Sequence, residues 1–202
     1  MSLKELFEQK LSPQAYYPVD NNGVMLYFPK MQEAVSSEND LLGIHLAVEY
    51  TLKSVCIDRA RIVCFGNNLY GREVNYIWDN FPKIHIDLLM CSPEARIIKD
   101  GDKKILKRKM EEVKKHHDTT TVYASDLPPT LRSCILYKED EPMLCCVQHY
   151  LLSVGDSRRP TFTGRGNPCV IACHDGQRFN LRQYVDFCET EFLRLQDSVY
   201  RQ

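Results

Sequence analysis

Apolar residues recur along this chain in two rhythms, one helical and one of short uninterrupted runs. Leu41, Leu42, Ile44, His45, Val48 and Leu52 return at helical spacing behind the cap-forming cluster Ser36-Ser37-Glu38-Asn39-Asp40, which predicts a helix over residues 39–55. Residues 59–66 then read as a buried strand ending at Gly66, and a helix over 70–80 is broken by Phe81-Pro82. A second strand over 84–91 stops at Ser92-Pro93. A charged amphipathic helix follows over 103–117, with Ile105, Leu106, Met110 and Val113 as its apolar stripe, and then a β-branched strand over 119–124.

Beyond residue 130 the pattern changes. Residues 131–137 and 143–152 read as two strands of a hairpin around Lys138-Glu139-Asp140-Glu141-Pro142. Residues 153–167 form a polar stretch, 169–174 a last short strand, and 180–198 a closing helix that buries Tyr184, Phe187, Cys188, Phe192 and Leu195. Residues 1–35 read as an irregular lead-in punctuated by Pro13, Pro18 and Pro29, with one strand at Val24–Phe28 after the turn Asn21-Asn22-Gly23. Strands alternating with helices imply a sheet covered on both faces, and the hairpin adds antiparallel pairing. The expected fold is an α/β three-layer α-β-α sandwich with a mixed, mostly parallel sheet. Repeats and low-complexity linkers are missing from the sequence, so residues 1–202 read as one domain.

Composition narrows the function classes. The 26 basic and 27 acidic residues leave a net charge of −1, so no global field favours nucleic acid, and any anion site must be local. No apolar run approaches the roughly 20 residues that span a bilayer, and Met1-Ser2-Leu3-Lys4-Glu5-Leu6-Phe7 has no signal-peptide core. The nine cysteines fall mostly inside apolar strand-like runs. They read as core thiols of a cytoplasmic protein rather than a disulfide framework.

The stretch Thr130-Leu131-Arg132-Ser133-Cys134-Ile135-Leu136-Tyr137-Lys138-Glu139-Asp140 carries the most information. Its layout, with the element order over about residues 59–198, resembles one half of the phospholipase D superfamily fold. That family's strand carries H-x-K-x-x-x-x-D, with a nucleophilic His and a phosphate-binding Lys, and two such motifs meet at one site within a chain or a dimer. Here the His slot falls on Arg132, the Lys slot on Cys134 and the Asp slot on Glu139, and the following G-S-x-N turn has no counterpart near 146–150. A guanidinium stays protonated and cannot attack phosphorus, but it can hold a phosphate bidentately. The resemblance therefore implies a non-catalytic member, a binding or regulatory module, with a homodimer as one assembly.

Other residues offer further chemistry. The segment 157–168 alternates hydroxyls with Arg158, Arg159 and Arg165 between glycines, and either cradles an anion or is a solvated loop. Cys145, Cys146, His149, Cys169, Cys173 and His174 form a Cys/His set without Cys-x-x-Cys knuckles. Adjacent Cys145 and Cys146 point to opposite faces of a strand, so core packing is favoured and no metal is expected. His116-His117-Asp118 ends a helix, where imidazoles complement the dipole. Cys134 as a nucleophile with His149 or His174 as base is the hydrolase alternative. Nucleotide and cofactor fingerprints are missing; Gly66-Asn67-Asn68-Leu69-Tyr70-Gly71 has no dinucleotide spacing. The expectation is a cytoplasmic, non-catalytic, sensing or regulatory domain without a cofactor. It would bind an anionic or phosphorylated small molecule, or a protein partner, through Arg132 with Arg158 or Arg165. A phosphodiesterase-type or other hydrolase, and a structural dimerisation module, are the alternatives.

Overall fold

The computed structural model describes residues 24–28, 43–64, 71–96, 98, 100–149, 151–154, 160–163, 169–173 and 182–199. In chain order these form β1 (Val24–Phe28), α1 (Gly43–Ser54), β2 (Arg59–Cys64), α2 (Gly71–Asn80), β3 (His85–Cys91), α3 (Asp100–Lys114) and β4 (Thr120–Ser125). They continue with β5 (Leu131–Lys138), β6 (Glu141–His149), β7 (Leu151–Val154), β8 (Pro160–Thr163), β9 (Cys169–Cys173) and α4 (Arg182–Val199). Seven strands make one sheet in the order β1-β9-β6-β5-β2-β3-β4, and β7 with β8 forms a separate antiparallel pair.

The mixed α/β sheet follows the sequence pattern, with parallel pairing confined to β2–β3–β4. Only in that block does a helix lie between consecutive neighbours, and a parallel neighbour requires such a crossover. The β5–β6 hairpin and the longer returns to β9 and β1 pair antiparallel, so the parallel strands are a block within the sheet rather than most of it. Two boundaries differ from the sequence reading. The strand expected over 143–152 divides into β6 and β7, and β8 lies inside the polar stretch 153–167. Val24–Phe28, within the expected lead-in, joins the main sheet as an edge strand against β9.

Side chains alternate between the two faces, and each face has its own cover. Ile44, Ala47, Val48 and Leu52 of α1, Val74, Ile77 and Trp78 of α2, and Leu106 and Val113 of α3 pack on Ala60, Ile62, Ile86, Leu88, Cys134, Leu136 and Cys146. On the opposite face Val185 and Cys188 of α4 meet Leu131, Ile135, Tyr137, Cys145 and Val147, while Phe192 and Leu195 meet Val63 and Leu89. This is a three-layer arrangement, with three helices on one side and one on the other. Each fully buried Leu, Ile or Val contributes about 1.5–3 kcal/mol. Cys145 and Cys146 do fall in opposite layers, as strand alternation requires. His116 follows the end of α3 and stacks on Trp78 with ring centroids 3.9 Å apart, while Trp78 Nε1 donates to Thr120 Oγ1 at 3.0 Å.

Polar contacts fix α4 at two points. Its buried Glu191 accepts from the Thr130 backbone N–H at 2.7 Å and from Thr130 Oγ1 at 2.9 Å, and Arg194 Nε donates to the same carboxylate at 2.7 Å. Two residues earlier, Glu189 accepts from both Arg61 and Tyr137. Burial pushes the Glu191 carboxyl pKa up, but the Arg194 and Thr130 bonds outweigh it and hold the group below its ordinary value. A depressed carboxylate stabilises the fold above its unfolded pKa and loses that contribution as the pH falls through the folded one. Glu191→Gln is therefore expected to cost about 1–2 kcal/mol at pH 7. In urea denaturation the gap from wild type should narrow as the pH falls below about 4. A gap that stays constant with pH would contradict this role.

Candidate functional site

The carboxyl ends of the parallel strands are where open α/β sheets receive ligands. Residue Ser133 of β5 pairs with Val63 near the end of β2, so the preceding Arg132 stands at that same end of the block. Arg132 pairs in register with Gln148 of β6, which in turn pairs with Cys169 of β9. The chain reaches α2 directly after β2, which brings the first turn of α2, carrying Glu73, to this end of the sheet. An acidic residue there complements the helix dipole. His45, near the start of α1, faces it.

All four polar side chains are enclosed: Arg132 and Gln148 are 0% exposed, Glu73 2% and His45 7%. His45 Nδ1 meets Glu73 Oε1, and Arg132 Nη1 donates to Gln148 Oε1 at 3.4 Å. Cys134, fully buried beside them, has its thiol pKa pushed well up by burial and further by the Glu73 carboxylate, with Arg132 opposing. Cys169 is pushed up to about 12 by burial, again against Arg132. The Glu73 and Arg132 charges thus act with opposite sign on the same thiol. Next to them lies a cleft of about 150 Å³, lined by His45, Val48, Glu49, Glu73 and Tyr76 and nowhere wide enough for a water molecule.

This geometry revises the expected roles. Arg132 stands at the expected end of the sheet, but inside it rather than at its surface. Cys134 is held as a neutral thiol, and nucleophilic attack requires the thiolate. Glu139, in the Asp slot, sits in the hairpin turn at the far end of β5 with φ 52°, and its N–H donates to Asp58 Oδ2 at 2.6 Å. His149 is the last residue of β6, in register with Leu131. His174, Arg158 and Arg165 lie outside the described residues, so their expected closure over Arg132 does too. Among the described residues no group of three or more His, Cys, Asp or Glu side chains is arranged to hold a metal ion.

Sequence reasoning did not assign His45, Glu73 and Gln148 to this site. His45 occupies a position of the apolar stripe of α1, and that is the available signal: a titratable residue on a helix face that is otherwise core. Gln148 carries no comparable local mark, because only the sheet register brings it beside Arg132, and Glu73 joins the site only through the packing of α2. No model of a known protein family matches this chain, and no curated protein matches it either. Among the described residues no helix is long and apolar enough to cross a membrane.

Burying one charge without a counter-charge costs several kcal/mol, so Glu73 and Arg132 are expected to offset one another. Glu73→Gln and Arg132→Gln should each cost about 2 kcal/mol or more, and the double variant less than their sum by at least about 1 kcal/mol. Urea denaturation of the four proteins measures the coupling. Strict additivity would mean that the two charges stabilise the fold independently.

Proposed function

We propose that this chain is a non-catalytic α/β domain that binds an anionic or phosphorylated ligand in a sensing or regulatory role, on a scaffold laid out like one half of a phospholipase D fold. One observation carries the reading. The strand in the position of that family's catalytic strand holds Arg132 and Cys134, both fully buried, where the family has a reactive imidazole and an ammonium group. A protonated guanidinium bonded to Gln148 and a neutral thiol supply internal hydrogen bonding and packing rather than attack on phosphorus. Eight cysteines, 56, 64, 91, 134, 145, 146, 169 and 188, are free, Cys145 and Cys188 with Sγ atoms 4.0 Å apart, which suits a reducing, cytoplasmic setting.

Self-association is a second reading, supported by the sheet edge. Among the described residues strand β4 is bonded on one side only, to β3, and an edge strand offers unpaired backbone groups to another copy. Sedimentation equilibrium separates a dimer of this kind from a monomer.

Two measurements test the non-catalytic reading. Purified protein should release no p-nitrophenol from bis(p-nitrophenyl) phosphate above the buffer rate. Turnover that disappears in His149→Ala or Cys134→Ser would overturn it. Iodoacetamide at mildly alkaline pH should label the exposed Cys56 of the native protein and leave Cys134 unmodified until denaturant is added. Mass spectrometry that finds the two labelled at similar rates would place an accessible thiolate at the site and reverse the conclusion.

A further inference from the structure

At the Cys134 thiol Arg132 is opposed by Glu73, but on the surface of α3 cations cluster. The outer face of α3 carries Lys104, Lys107 and Arg108. Residues three and four apart on a helix are neighbours with Cβ atoms about 5–6 Å apart, so Lys104 adjoins both of the others and the three cations form one triangle. They line a groove of about 400 Å³ together with Ile105 and Glu111. That volume falls within the range of about 300–1,000 Å³ typical of small-molecule sites. Three cations face one carboxylate in the groove and a second, Glu94, at its margin, so positive charge is in excess locally in a protein whose net charge is −1.

The margin of the groove holds a fourth participant. Glu94, on the turn after β3, reaches Lys107 with its Oε1 2.8 Å from Nζ, while its own backbone N–H donates to Ser92 Oγ at 3.2 Å. Glu94 therefore occupies one corner of the triangle with a carboxylate, on a pair exposed enough to exchange partners readily. Ile105 gives the groove an apolar wall beside the cations.

We infer that this α3 groove is a binding site for an organic phosphate bearing at least two negative charges. Lys104 and Arg108 contact the phosphate oxygens, Lys107 exchanges Glu94 for the ligand, and Ile105 packs on its uncharged part. The inference rests on the reading of the chain as an anion-binding domain and moves the point of contact from Arg132 to α3. Arg108 supplies planar bidentate donors and the lysines compact charge, a pairing suited to phosphate rather than to a lone carboxylate.

Inorganic pyrophosphate is the probe, titrated calorimetrically at low ionic strength into the full chain. Lys104→Gln/Arg108→Gln, two exposed changes that leave the core untouched, should weaken binding by about tenfold or more. Glu94→Gln should tighten it by freeing Lys107, an effect that a purely structural role for Glu94 would not produce. The exposed Lys83→Gln serves as a control and should leave the affinity unchanged. Pyrophosphate binding that persists in Lys104→Gln/Arg108→Gln overturns the α3 site. If it is lost instead in Arg132→Gln, the anion-binding reading stands with its original contact. Wild-type protein that fails to bind pyrophosphate overturns both. A single-stranded oligonucleotide bound more tightly than pyrophosphate, and lost in the same double variant, overturns the assignment to a small phosphate.

Discussion

The pairing of β5 with β2 is the constraint on which the rest of the molecule depends. β2 is the one strand bonded in parallel on one edge and antiparallel on the other. The chain leaves the parallel block at its far edge, β4, and must return past two strands to make this pairing. Thr130, the last residue before β5, is held by Glu191 of α4 through both its backbone N–H and its hydroxyl. The helix that covers the back of the sheet therefore also fixes where β5 begins. Displacing β5 by one residue would exchange its faces, turning Arg132 toward α4 and Ile135 toward the three-helix layer.

Two charged clusters on opposite faces follow different electrostatic rules. Arg61 lies partly exposed under α4, among Glu189, Asp87 and the ring of Phe192. Its burial lowers the guanidinium pKa, but the neighbouring carboxylates overcome that effect and raise it overall. Such a cluster is cheap to maintain because water still solvates part of it. Arg132 has no such relief. It lies inside the sheet, where the desolvation penalty is several kcal/mol, and its hydrogen-bond partner Gln148 is buried with it. Within that enclosure the Glu73 carboxylate disfavours the Cys134 thiolate while Arg132 favours it, and burial keeps the thiol neutral.

What the sequence made legible follows from the range of the interactions involved. The apolar runs of β2, β3 and β5 and the helical stripes of α1 to α4 are local signals, and each element appears close to its expected bounds. The β7–β8 pair was hidden because it stands apart from the main sheet, so residues 153–167 lack the continuous apolar pattern of a core strand. The proportion of parallel pairing depends on which strands become neighbours, and no local pattern encodes that. Arg132 was singled out by its position in a motif, yet its burial was not, since an arginine inside a sheet is tolerated only when register supplies partners such as Gln148 from a strand still to come. His45 shows the same limit from the other side. Helical spacing places it on the inner face of α1, but only the fold supplies Glu73.

Buried and exposed cations would receive an anion on different terms. A buried cation already opposed by a buried carboxylate presents little net field, and a ligand reaching it would have to bring its own charge into the same low-dielectric interior. The α3 triangle has neither restriction. Its counter-charges are fewer than its cations, the groove is open, and the one ion pair at its margin is solvated. A phosphate there would give up only part of its hydration and would meet cations that are neighbours on one helix face. β5 lies at the centre of the sheet and serves the core, while exposed positive charge lies on the neighbouring helical layer.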